Sequence, residues 1–458
     1  MSRSPSQGLR PQLAMMQPND RSLIPAGMSA ILPETASRVR RLEETLLASL
    51  DRWGYQEIIP PTFEYLDVLS AGLEPKVIEQ CYTFPDRTTG RILLLRPDVT
   101  AQIARIVAMG MVESTRPLRL CYRTTVFRYE PEHVGREREI FQVGAELIGA
   151  DDVAMDAEII ALMIDCLMRL GLSSFKISVG HVGFFQALLA RSGMSAEGQK
   201  RAEHAAARKD LPRLAEILSK EQVPAKAAKA ILEAPGLYGR QEVLDRGRVL
   251  AAGDRGLRAT LQRLTDVYEL LNAAGLGEYL LMDLGEFRGF DYYDGLVFDV
   301  FAEGIGCELG GGGRYNHLIG RFGRHLPSTG FAFDVDRLFR VIERVEDSLS
   351  RAQADFFIVS PVQHSDRVFR VAQMLRDGGF RAIQGTLHAA GPAGLQRALE
   401  EGRLLVASTV VVLGVPGVAA EEALVLAESS LRRRRSGSTT PTQRKVKIKD
   451  LPGLPVKN

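Results

Sequence analysis

Apolar residues return along this chain in two alternating rhythms, and the switches between them mark its elements. Over residues 33–54, Val39, Leu42, Leu46, Leu47 and Leu50 recur at helical spacing, with Glu34 in the first turn and Gly54 as the stop. Residues 58–61 read as a strand halted by Pro60 and Pro61. The apolar run 91–95 predicts a short buried strand feeding a helix that begins within Pro97-Asp98-Val99-Thr100. Residues 118–129 and 140–147 alternate as an antiparallel pair, and an amphipathic helix follows over 154–170. Antiparallel strands flanked by helices predict the α+β class rather than a parallel doubly wound sheet.

The rhythm changes twice more. From about 195 to 275, alanine, leucine, lysine and glutamate dominate and β-branched runs are scarce, which predicts a helical insertion before strand rhythm returns at 279–283. Beyond 355 the order is strand 356–359, helix 366–376, strand 380–384, helix 391–401 and strand 409–413, with a last edge strand over 446–451. This is a small α/β unit over 355–458, following a main domain over 21–345. The basic run Arg432-Arg433-Arg434-Arg435, in a loop near 432–445, reads as solvated charge.

Composition narrows the function classes. A chain of 458 residues has room for two or three domains, and 45% hydrophobic with 25% charged residues is ordinary for a soluble globular protein. A formal charge of +2 lacks the strong basicity of a nucleic-acid binder. Cys81, Cys121, Cys166 and Cys307 stand singly, and the seven histidines show no ligand spacing, so neither a disulfide framework nor a metal is expected. Residues 1–20 are polar and rich in Pro, Gln and Ser, a loose N-terminus without a signal peptide's apolar run, and no stretch is long enough to cross a membrane. The expectation is a cytoplasmic protein.

Candidate chemistry concentrates in two places: Phe127-Arg128-Tyr129-Glu130 with Gln142, Gly144 and Glu146, and far downstream Arg288-Gly289-Phe290-Asp291-Tyr292-Tyr293. Arg128 offers a planar fork for a carboxylate or phosphate. Glu146 and Asp98 can accept from an amine or imidazole, and Tyr292 and Tyr293 offer a flat wall with a hydroxyl edge. Together they suit a small zwitterion. Gln142 and Glu146 lie an even number of residues apart, on one face of their strand. Gly310 to Gly313 carry no GxxxxGK[ST] and are read as a strand where backbones approach closely.

In this order the motifs resemble the catalytic domain of histidyl-tRNA synthetase, a class II aminoacyl-tRNA synthetase fold. They resemble still more closely its paralogue family, the regulatory subunits of ATP phosphoribosyltransferase. The likeness runs from about Ile24 to Arg340. It includes a motif 1 proline at Pro61, motif 2 over 127–149, the histidine-specific segments 288–298 and Gly311-Gly312-Gly313-Arg314-Tyr315, and motif 3 at Gly330-Phe331-Ala332-Phe333-Asp334-Val335-Asp336-Arg337. The resemblance implies a class II-like antiparallel sheet flanked by helices, and a C-terminal unit similar to an anticodon-binding domain. It implies a histidine pocket of Asp98, Thr100, Arg128, Gln142, Glu146, Arg288, Tyr292 and Tyr293.

Departures from the synthetase pattern favour the regulatory paralogue over an active ligase. Asp334 replaces a motif 3 glycine. The loop 131–139 carries three glutamates where phosphate contacts would be made, Asp98 stands in a turn that more often reads Glu-Gly-Thr, and Asn316 replaces an aspartate. The regulatory reading implies no catalytic residues and no cofactor. It implies a homodimer formed through the motif 1 region, assembled with the short-form catalytic subunit, with L-histidine as ligand and without tRNA. The alternative is an active histidyl-tRNA synthetase.

Overall fold

The computed structural model describes residues 24–110, 117–129, 137–286, 292–345, 354–389, 391–405, 407–427 and 442–454. The chain divides into two compact units, Met1–Val345 and Glu346–Asn458. In the first, the strands in chain order are β1 (Gln56–Glu57), β2 (Phe63–Tyr65), β3 (Thr83–Pro85), β4 (Ile92–Leu95), β5 (Leu118–Phe127), β6 (Glu139–Ile148), β7 (Phe175–His181), β8 (Tyr238–Gly239), β9 (Leu280–Asp283), β10 (Leu296–Ala302), β11 (Gly310–Arg314) and β12 (Ser328–Asp334). The helices are α1 (Pro33–Arg52), α2 (Leu66–Leu69), α3 (Pro75–Glu79), α4 (Val99–Ala108), α5 (Val153–Arg169), α6 (Val182–Ala190), α7 (Ala196–Ala207), α8 (Leu211–Lys220), α9 (Ala225–Glu233), α10 (Gln241–Leu250), α11 (Arg255–Ala273) and α12 (Val335–Val345).

Nine strands form one sheet in the order β1-β5-β6-β12-β11-β10-β7-β9-β8. Its centre is antiparallel, while β1 joins β5 and β9 joins β7 in parallel. The two-residue alternation sorts each strand between two faces. One face carries Val143, Ala145 and Leu147 of β6, Phe331 and Phe333 of β12 and Phe298 and Val300 of β10. These pack into the main core with Leu46 and Leu50 of α1 and Ile160, Met163 and Leu167 of α5. The other face carries Leu120 and Tyr122 of β5, covered by Val99, Ile103 and Val107 of α4. Helices α6 to α11 supply Leu214, Ile217, Leu257, Leu261 and Leu264 to the main core, so the helical segment is built onto the sheet rather than tethered beside it.

Two local expectations need correction. Residues 58–61 are not a strand. Pairing with β5 stops after Glu57 and one further bond, Ile58 N–H to the Cys121 carbonyl at 2.8 Å, because Pro60 and Pro61 have no N–H to give. Their carbonyls instead accept from Arg96 (3.0 Å) and Gln102 (2.8 Å).

The second correction lies in the C-terminal unit, which consists of β13 (Ala354–Ser360), α13 (Ser365–Asp377), β14 (Ala382–Thr386), α14 (Gly391–Leu404), β15 (Ala407–Val412), β16 (Glu422–Ala427) and β17 (Thr442–Lys447). Its sheet runs β14-β13-β15-β16-β17, parallel over the first three strands and antiparallel beyond. The last strand ends at Lys447. Residues 448–453 are a 3-10 turn that buries Leu451 and contains Pro452, which cannot donate to a ladder. Strand β16 was not anticipated, because a short continuous apolar run is periodic as neither helix nor strand. The run Arg432–Arg435 lies outside the described residues. Among the described residues no helix is long and apolar enough to cross a membrane.

Candidate functional site

The face of the sheet under α4 holds a buried carboxyl. Glu146, on β6, is 1% exposed, and its neighbours in register are Leu120 on β5 and Gly330 on β12. Thr100 Oγ1 donates to Glu146 Oε1 at 2.7 Å, and the Tyr315 hydroxyl donates a short hydrogen bond to Oε2. A carboxylate has about four acceptor positions, so two hydroxyls leave capacity for a ligand. Burial pushes the Glu146 carboxyl up to about 8; Tyr315 and Thr100 oppose this, and Asp98 adds to it. The shift moves its titration into the neutral range, and its partners are hydroxyls, which can donate or accept as the proton comes and goes.

The room for this carboxyl is made by glycine. A Cβ at Gly330 would lie 1.9 Å from Glu146 Oε2 and 2.6 Å from the Ala145 carbonyl oxygen. A Cβ at Gly144, two residues along the same face, would lie 2.4 Å from the Tyr122 ring. Tyr122 faces Gly144 across the β5–β6 pair and fills that space, fully buried.

The remaining expected residues gather around this point unequally. Asp98 caps α4, accepting from Ala101 N–H at 2.9 Å, which aims the first turn and Thr100 at Glu146. The helix is held from behind by a buried pair, Arg105 to Glu64 at 2.7 Å, with Gln102 donating to the same Glu64 oxygen at 2.9 Å. Arg128 spends Nε on the Pro97 carbonyl (2.7 Å) and stands 3.7 Å from Asp98 through Nη2, so its fork is oriented but only partly occupied. Tyr292 and Tyr293 lie 4.6 Å apart between ring centroids and lean on Tyr315 at 5.9 and 6.4 Å, half-buried at the rim. Gln142 shares the face of Glu146 but sits toward the far end of β6, opposite Thr124 and Asp334. Four residues of strand span about 13 Å, so touching both ends takes a ligand with polar groups at each end. Arg288 lies outside the described residues, as does Glu130.

Sequence reasoning quoted Tyr315 in a motif without placing it in the site, and it passed over Tyr122. The legible signal for Tyr122 was parity: it stands on β5 across from a glycine that is an even step from Glu146. Arg314 proves structural. It is 1% exposed and pairs with Asp156 at 2.7 Å, and Asp156 also binds Arg263 of α11 at 2.7 Å, which fixes the end of β11 from which Tyr315 projects. The Asn316 side-chain oxygen accepts from Ser328 N–H (3.1 Å) and Arg314 (3.0 Å), and its Nδ2 donates to Asp151 Oδ2 at 3.4 Å, a bond an aspartate could not make.

The motif 3 end of the same sheet is closed on itself. Asp334 Oδ1 accepts from Arg337 N–H at 3.1 Å at the start of α12, and Oδ2 pairs with Arg337 Nε at 2.9 Å. Arg337 Nη1 is taken by the Glu308 carboxylate at 2.7 Å and its carbonyl at 2.9 Å. Arg340 is paired with Glu137. Glu137, Asp334 and Asp336 converge closely enough to share an ion. Burial, then Glu137 and Asp334, push the Asp336 carboxyl up to about 7. Two arginines already answer these acids, and the cluster meets an incoming phosphate with like charge.

Residues 27–338 match the family model described as histidyl-tRNA synthetase. The chain is similar to the ATP phosphoribosyltransferase regulatory subunit of Syntrophotalea carbinolica, 35% identical over 382 residues (83% of this chain, 88% of that one). The corresponding subunit of Moorella thermoacetica is 41% identical over 315 residues (69% and 80%). The chain belongs to the ATP phosphoribosyltransferase regulatory subunit family. A solved structure titled as an ATP phosphoribosyltransferase regulatory subunit/histidyl-tRNA synthetase, from Bacillus halodurans, superposes with a TM-score of 0.74 at 27% identity, covering 86% of this chain and 99% of that one. The α+β, synthetase-like fold and the place of this chain among regulatory rather than catalytic subunits are thereby shown. In this chain Asp334 and Glu308 between them engage Arg337 at its backbone N–H, Nε and Nη1.

Proposed function

We propose that this regulatory subunit is the histidine-sensing partner of a short-form ATP phosphoribosyltransferase catalytic subunit, required for full activity and for feedback inhibition in the first step of histidine synthesis. The observation that carries the reading is the Glu146 hollow: a buried carboxyl held by Thr100 and Tyr315, roofed by Tyr292 and Tyr293, beside an oriented Arg128. An imidazole has one N–H and one bare nitrogen, and a carboxyl poised near neutrality can answer either. Histidine docks with its ring at Glu146, and its polar backbone groups reach toward Arg128. It inhibits by binding one state of the assembly better than another, a coupling of typically ~1–3 kcal/mol.

The subunit pairs with a second copy through the motif 1 region. There β1 is the outer strand of the sheet, and Ile59 and Phe63 are 81% and 50% exposed. The decisive assay reconstitutes a short-form catalytic subunit with this chain and follows product formation while histidine is titrated. Stimulation by the wild-type chain, inhibited by histidine, with Glu146→Gln stimulating equally but resisting inhibition, is the expected result. Equal inhibition with both chains would remove the pocket from the account, and absence of stimulation would remove the partner.

A further inference from the structure

Away from the sheet, α7 and α8 enclose a concave cleft of about 460 Å³ lined by Glu197, Lys200, Arg201, His204, Arg208 and Arg213, with Ala205 and Ile217 as its buried apolar floor. Four fixed cations face two carboxylates, and the second of these, Asp210, is spent on capping α8 through Arg213 N–H at 3.0 Å. Lys200, His204 and Arg208 follow at intervals of four and so stack on one helical face. None of the three has a hydrogen-bond or ion-pair partner among the described residues. Lys200 and Arg208 are the fixed charges of that face, and Glu197, three residues before Lys200 on the same helix, is the carboxylate that lines the cleft beside them.

The two remaining arginines are each ion-paired with a carboxylate on one side. Glu221 accepts from Ser195 N–H and Oγ at 3.1 and 2.9 Å and holds Arg201 Nη2 at 2.7 Å. Glu216 lies between Arg213 (2.5 Å) and Lys220 (2.6 Å). Each guanidinium has five N–H donors, and each keeps several unspent while its position is fixed from one side. A size of a few hundred Å³, an apolar floor and convergent arginine forks are the features of a small-molecule site for an anion.

We propose that this cleft binds the phosphate chain of a small polyphosphorylated molecule, a nucleoside polyphosphate being the class that uses both the cations and the apolar floor. This rests on the helical segment alone and is independent of the histidine reading. The test is calorimetric titration of the full chain with sodium tripolyphosphate and, separately, ATP, repeated on Lys200→Glu/Arg208→Glu. Both positions are exposed, so folding should be unchanged by melting; the milder Lys200→Gln/Arg208→Gln serves if it is not. Saturable binding of either probe, weakened tenfold or more by the double variant, is the expected result. ATP binding tighter than tripolyphosphate would place the base on the floor. No saturable binding, binding undiminished in the variants, or binding only of a single-stranded RNA oligomer would each overturn the proposal.

Discussion

Two ends of one strand pair, β6 against β12, have met opposite fates. At one end Gly330 faces Glu146, and at the other, four residues along, Asp334 faces Gln142. The glycine leaves room for a carboxyl that Thr100 and Tyr315 hold, with Tyr292 and Tyr293 packed against Tyr315 at the rim. The aspartate instead folds back on Arg337, which Glu308 engages from the other side. One end carries a buried carboxyl bound by two hydroxyls, and the other an aspartate paired with the arginine three residues on. The same sheet thus holds a buried carboxyl at one end and a self-paired aspartate at the other, and the difference turns on what occupies one backbone position.

The contrast breaks most completely at the carboxyl. Glu146→Ala strands the Thr100 and Tyr315 hydroxyls and removes the ring acceptor. Histidine affinity should fall roughly 100-fold, about 3 kcal/mol, by calorimetry, while the fold survives. Next is the glycine. Gly330→Ala forces a methyl against Glu146 and the Ala145 carbonyl, at a cost of about 1–3 kcal/mol in denaturant unfolding together with loss of histidine binding.

The third test is pH. Glu146 is raised from 4.5 to about 8, so the folded state holds the proton through that window. Stability should decline as pH rises from 4.5 to 8, and Glu146→Gln should flatten the decline. Histidine binding that draws on the ionised carboxyl should strengthen over the same upper range, by roughly 10-fold or more between pH 6 and 8, with close to one proton released per site at the acid end. Titrations in buffers of different ionisation enthalpy read this directly.

The smallest effect is at the closed end. Asp334→Gly keeps a tolerable helix cap but leaves Arg337 held by Glu308 alone, so stability should drop by about 1 kcal/mol. ATP affinity, measured in a Lys200→Glu/Arg208→Glu background so that the α7–α8 cleft does not contribute, should rise.

Much of this was legible in the residues, and the remainder was hidden for physical reasons. The helices over 33–54 and 154–170 and the β5–β6 pair follow from strong periodicity with caps or turns at their ends. Thr100 and Glu146 were placed by motif order, and their contact is the one the hydrogen bond shows. The direction of Asp334 was not legible: a carboxylate at a glycine position can point toward a ligand or away from it, and only the reach of Arg337 decides. Tyr315 was not legible because motif order does not tell which of two adjacent side chains faces the site; Arg314 turns inward to Asp156 and Tyr315 turns to Glu146. The end of β17 and the whole of β16 escaped because short apolar runs carry no period.

The most direct test of the open pocket beside a closed phosphate site is histidine-dependent ATP–pyrophosphate exchange by the purified, folded chain at saturating histidine. The account expects no exchange above the histidine-free background. Robust exchange would mean that histidyl adenylate forms, that Arg337 is available to ATP despite Asp334 and Glu308, and that the chain is a working ligase.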